Sequence, residues 1–135
     1  MYAIKKEGKK IAFKFELKDI KGGLTFFSED NDFVQVGAWR YDKGKQLLAH
    51  IHNFVRREID RTQEFIFVVK GSIKASIYDD NENPVKDLIL NSNEGLILLS
   101  GGHGYEIMEN DTVVIEVKNG PYIGAELDRR RLEKK

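Results

Sequence analysis

The sequence predicts an all-β domain of antiparallel strands folded as a sandwich or barrel, followed by a short C-terminal helix. Three observations carry this. Apolar residues recur at alternate positions, turn-forming residues interrupt them at short intervals, and no helical period is visible before Gly124.

The clearest alternation comes first: Ile11, Phe13, Phe15 and Leu17 interleave with Ala12, Lys14, Glu16 and Lys18, which describes a half-buried strand. Gly22-Gly23 ends it, Leu24 to Phe27 resumes an apolar stretch, and the acidic turn from Ser28 to Asp32 leads into a strand from Phe33 to Tyr41. Asp42-Lys43-Gly44-Lys45 is the next turn. Strands follow over Gln46–Val55, Glu64–Lys70 and Ser72–Tyr78, with Gly71 supplying a positive φ for a hairpin between the last two. The turn-rich run from Asp79 to Pro84 separates these from strands at Val85–Leu90, Leu96–Ser100, His103–Met108 and Thr112–Val117. Residues 125–135 read as a helix. Its Arg129-Arg130-Arg131 and Lys134-Lys135 suit the negative end of the helix dipole, or a phosphate partner.

At 135 residues the chain has room for one domain, divided here into a loosely held Lys-rich segment (1–10), a β domain (11–124) and the helical tail (125–135). With 41% hydrophobic residues it can build a packed core. The 22 Lys and Arg are balanced by 22 Asp and Glu, so no net field draws the chain onto nucleic acid or an anionic membrane. Cysteine is absent, which excludes disulfides, thiolate ligands and a cysteine nucleophile, and fits a cytoplasmic location. No apolar run has signal-peptide or membrane-span length. The strand at Ile11–Leu17 is expected to extend a sheet across a homodimer interface, or else to pair within its own domain.

The chemistry concentrates on the 3 histidines. His50 and His52, two apart in an expected strand, share a face with Gln46, Leu48 and Phe54 and need polar partners if buried. A divalent cation is one such partner; ordinary strand hydrogen bonding is the other. Glu64 opens an apolar strand where a carboxylate wants a cation or a donor. His103 follows Gly101-Gly102, where the backbone can bend close to a site.

Gly44, His50-Ile51-His52, Glu64 and Gly71 together resemble the first motif of the cupin superfamily, with an insertion of eleven residues between His52 and Glu64. Gly95, the strand after it, Gly101-Gly102 and His103 are similar to its second motif, without the usual proline. The ending Glu116-Val117-Lys118-Asn119-Gly120-Pro121-Tyr122 resembles small WbuC-type cupins associated with polysaccharide biosynthesis. The resemblance covers roughly residues 33–122 and implies a double-stranded β-helix, or jelly-roll, barrel. It also implies one divalent metal (Fe, Mn, Ni, Co or Zn) on His50, His52, Glu64 and His103, with Glu58 and Glu106 as the reserve carboxylates.

Beside that metal, Tyr105 and Glu116 are the candidate acid–base groups, and Tyr78 a candidate substrate contact; the alternative for both tyrosines is aromatic packing. Arg56, Arg57 and Arg61 lie in the insertion. They either clamp the phosphate of a sugar phosphate or nucleotide sugar, or pair with Glu58 and Asp60 in a solvated loop. The expected activity is a metal-dependent isomerase or epimerase, or oxygen chemistry, on a sugar-derived molecule. Its alternative is a non-catalytic module that binds a sugar-like ligand through the same pocket.

Overall fold

The computed structural model describes residues 1–132 of the chain, and it is mostly β, with antiparallel sheets and one short helix. In chain order the strands are β1 (Tyr2–Lys6), β2 (Lys9–Glu16), β3 (Gly23–Phe26), β4 (Gly37–Arg40), β5 (Glu64–Lys70), β6 (Ser72–Tyr78), β7 (Pro84–Asn91), β8 (Glu94–Leu98), β9 (Gly102–Ile107) and β10 (Val113–Lys118). They form a five-stranded sheet of order β1-β2-β8-β5-β10, a three-stranded sheet β7-β6-β9 and a two-stranded ribbon β3-β4.

The five-stranded sheet is covered on both faces, because its strands carry apolar residues at both parities. Ala12, Ile66, Val68, Leu96 and Leu98 pack against Ile73, Ala75, Ile77 and Leu90 of the three-stranded sheet. Phe13, Phe15, Ile97 and Leu99 face the other way and are covered by Phe27, Val34 and Val36 of the chain around β3 and β4. Leu96 lies at the centre of the first core, paired with Lys14 and Ile66 and fully buried. Leu96→Ala is expected to cost about 2–5 kcal/mol of stability, read from urea unfolding.

From β5 onward the chain moves repeatedly between the two larger sheets. β5, β8 and β10 belong to one, β6, β7 and β9 to the other. Gly71 has the expected positive φ, 79°, but the hairpin expected there does not form: Lys70 ends a strand of one sheet and Ser72 begins a strand of the other. A Cβ at Gly71 would lie 2.3 Å from the Thr112 hydroxyl, so the glycine serves a tight corner between layers.

Four further expectations are corrected. Residues 1–10 are not loosely held, since β1 pairs with β2 through the two-residue turn Glu7-Gly8 (φ 50° and 79°), a geometry whose twist matches the flanking strands. β2 is therefore paired on both sides, with β1 and β8, and Ile11–Leu17 is not an edge that could extend across a dimer. The strand expected at Phe33–Tyr41 is confined to Gly37–Arg40, where β3 supplies a partner. The strand expected at Gln46–Val55 is absent: no strand occurs from Tyr41 to Gln63, and residues 41–61 are exposed, with Leu48, Ile51 and Phe54 in solvent. Alternation alone does not make a strand without a ladder partner.

The tail is helical only over Ala125–Asp128 (α1); residues 129–132 are irregular, and 133–135 of the expected helix lie outside the described residues. Asp128 accepts a hydrogen bond from the Thr62 hydroxyl, which ties α1 to the start of β5. Among the described residues, no helix is long and apolar enough to cross a membrane.

Candidate functional site

The two larger sheets bring polar side chains together at the edge formed by β5, β10 and β9. Glu64, Ile66 and Val68 share a face of β5, and that face turns toward the core between the sheets. On β9, His103 and Tyr105 stand opposite the buried Ile77 and Ala75 of β6, so they share the inward parity, at a rim where both stay exposed. On β10, Glu116 pairs with Ile66 and Lys118 with Glu64, which gives these two the same inward parity.

The result is a contact between layers from residues distant in sequence. His103 Nε2 lies 3.3 Å from Glu64 Oε2, and the rings of His103 and Tyr105 are 5.3 Å apart between centroids. Glu64 is only 6% exposed, so its carboxylate relies on these neighbours to replace water. Partial burial, then the negative charges of Glu64 and Glu116 and a hydrogen bond to Glu64, push the Tyr105 hydroxyl well above the ordinary phenol range. Tyr105 therefore keeps its proton throughout the physiological range and acts as a donor. Glu116 Oε1 lies 2.8 Å from Lys118 Nζ, and this contact holds the Lys118 ammonium above its ordinary value.

The other expected site residues are placed elsewhere. His50 and His52 sit in the exposed chain before β5, their ring centroids 5.0 Å apart and edge-on, with His50 Nδ1 3.2 Å from the Leu48 carbonyl. Tyr78 has the opposite parity to Ala75 and Ile77 on β6 and so faces away from His103. Arg56 and Arg57 are in solvent. Arg56 stands 3.8 Å from Glu58, and Arg57 donates to the Val55 carbonyl. Arg61 lines a groove beneath the β1–β2 hairpin instead. Of the reserve carboxylates, Glu58 is exposed and Glu106 pairs outward with Lys74 at 3.2 Å.

Among the described residues, no group of three or more His, Cys, Asp or Glu side chains is arranged to hold a metal ion. The separation of Glu64 and His103 is that of an ion pair and also that of two adjacent ligand atoms on one ion. Ligand atoms bound at ~2.1 Å with ~90–110° between them stand about 3.0–3.4 Å apart, which is their observed separation.

Three contributors are not apparent from sequence patterns centred on histidine. Lys118 follows from strand parity, two residues beyond Glu116. Gln63 and Asn119 clamp the junction that aims Glu64: the Gln63 N–H donates to Asn119 Oδ1 at 2.7 Å, and Asn119 Nδ2 donates to the Arg61 carbonyl at 3.2 Å. No family model, curated protein or solved structure matches the chain.

Proposed function

We propose that this protein is a cupin-like jelly-roll protein of the cytoplasm that uses a divalent metal to act on a sugar-derived or similarly polar small molecule, with isomerase or epimerase chemistry. The observation that carries this reading is the Glu64–His103 contact, a carboxylate and an imidazole brought from different sheets to a ligand-like separation. Bound there, a divalent ion would polarise a carbonyl or hydroxyl oxygen and acidify a proton beside it. Tyr105 presents a proton to the substrate oxygen, and Glu116 is the carboxylate on the same side that can accept one.

His50 and His52 join this reading through the free edge of β9. β9 and β10 each end a sheet, while residues 46–55 carry strand alternation without a partner. Pairing of that segment along β9, with Leu48, His50, His52 and Phe54 turned inward, would bring both imidazoles toward His103 and close the jelly roll.

Equilibrium dialysis against Zn²⁺ or Mn²⁺, with metal analysis, tests the reading. About one ion per chain is expected, and Glu64→Gln or His103→Ala should weaken uptake by at least about tenfold. Equal losses in His50→Ala and His52→Ala support strand pairing. Unchanged uptake in both Glu64→Gln and His103→Ala sinks the metal site.

The Glu116–Lys118 ion pair favours a second reading, a binding module without proton transfer, because it engages the candidate base. In that case Tyr105→Phe and Glu116→Gln lower ligand affinity and there is no turnover to lose.

A further inference from the structure

We infer that the groove beneath the β1–β2 hairpin is a phosphate-binding site, separate from the Glu64–His103 contact and built from the N-terminal hairpin and Arg61. The groove encloses about 740 Å³ and lies between the hairpin, the chain at 29–33 and the residues leading into β5. Lys5, Lys9 and Lys10 line it from the hairpin and Arg61 from the chain before β5, together with the carboxylates of Glu29 and Asp32.

Pairing within the groove leaves positive charge to spare. Lys9 is engaged by Asp80 at 2.8 Å, and the Asp32 carboxylate accepts the Glu29 N–H at 2.8 Å. Lys10 contacts Glu29 at 2.5 Å, and the field of Lys5 falls on the same carboxylate; together the two lysines hold Glu29 below its ordinary range. Among the described residues Lys5 has no ion pair of its own. Among the described residues Arg61 makes one ion pair, with Asp60 at 3.9 Å, beyond hydrogen-bond distance, and its field also falls on Asp80. Two lysines thus act on one exposed carboxylate that can swing away, and a guanidinium lines the same groove. A phosphate dianion at that place can bridge all three cations, and guanidinium and phosphate match in geometry.

The floor adds an independent observation. The Ser100 hydroxyl is buried without a hydrogen-bond partner among the described residues, in a residue that lines the groove and is itself partly exposed. Rotation about χ1 would carry that Oγ to a position now held by a Cβ hydrogen, and an anion in the groove is an acceptor it could then serve. Beneath it the groove is rigid. Gln63 Oε1 accepts from Phe33 N at 2.7 Å and Val34 N at 3.1 Å, and Gln63 Nε2 donates to the Leu99 carbonyl at 3.3 Å. The surface is therefore held in shape before any ligand arrives.

The test is titration of the full chain with inorganic phosphate and with glucose 6-phosphate at constant ionic strength, followed through backbone amide shifts of Lys10, Asn31 and Ser100. Saturable binding with a dissociation constant of about 1 mM or tighter is expected. Lys5→Gln and Arg61→Gln should each weaken it about tenfold, and Ser100→Ala about threefold. Glu29→Gln should tighten it about threefold, a gain that a folding defect cannot produce. Tighter binding of the ester assigns the site to a phosphorylated small molecule, and equal binding assigns it to free phosphate. Absence of saturation by either probe overturns the inference, as does wild-type affinity in both Lys5→Gln and Arg61→Gln. Because Glu64 and His103 take no part, Glu64→Gln should bind phosphate as the wild type does, which separates this site's failure from that of the metal site.

Discussion

Gly101→Ala is expected to lose roughly 3–5 kcal/mol of folding stability, a large share of the ~5–15 kcal/mol that holds a domain of this size together. Two costs combine. Gly101 has φ of 76°, a left-handed conformation that a Cβ disfavours. That Cβ would also lie 2.0 Å from the Tyr78 carbonyl oxygen, a backbone atom at the end of β6 that cannot rotate aside. Relief requires moving the connection from β8 to β9, where the Gly101 N–H donates to Asp80 Oδ1 at 3.0 Å, and with it the start of the strand that carries His103. Gly104→Ala is the matched control on β9 itself: its Cβ meets nothing within 4 Å, and its φ is not positive. That change should shift stability by less than about 1 kcal/mol. Urea unfolding of the two variants measures the difference, and equal midpoints would remove the steric account.

The strands that could be read from sequence are those whose alternation coincides with a partner. β2, β5, β6 and β9 fall close to where the strand pattern placed them, because each finds a ladder partner and the first three also put a face on the shared core. What local pattern does not contain is pairing. Residues 46–55 are strand-like in composition, yet make no ladder, and Gly71 turns between sheets where a hairpin was equally compatible with its φ. The candidate site divides along the same line. Glu64, His103 and Tyr105 come together, with Glu116 on the same side, because strand parity fixed their direction once β5, β9 and β10 were in place. His50 and His52 depended on a strand with no partner. Tyr78 was assigned without parity, and one residue's shift along β6 puts it on the other face.

Gln63→Leu is expected to be nearly as damaging, although the new side chain is apolar, of similar volume and placed where almost no water reaches. Gln63 is 6% exposed and uses both ends of its amide, accepting from two backbone N–H groups in the loop before β4 and donating to the carbonyl after β8. Leucine fills the space and leaves those three backbone groups without partners. An unsatisfied buried polar group costs about 1–3 kcal/mol, so even partial rescue by water leaves a loss of about 3 kcal/mol or more. Gln63→Glu isolates the acceptor half. Its ionised carboxylate can still take the Phe33 and Val34 N–H groups but buries a charge and sets an oxygen against the Leu99 carbonyl, so stability falls here too while the two loop N–H groups keep their acceptor. The two variants also distinguish a lost network from a merely perturbed core. Amide exchange at Phe33 and Val34 should accelerate in Gln63→Leu and stay protected in Gln63→Glu, while Ile66 and Leu96, deep in the other core, keep wild-type protection relative to global stability in both. Protection of Phe33 and Val34 in Gln63→Leu equal to wild type would show that the amide does not hold this loop. The groove and the orientation of Glu64 would then need another support.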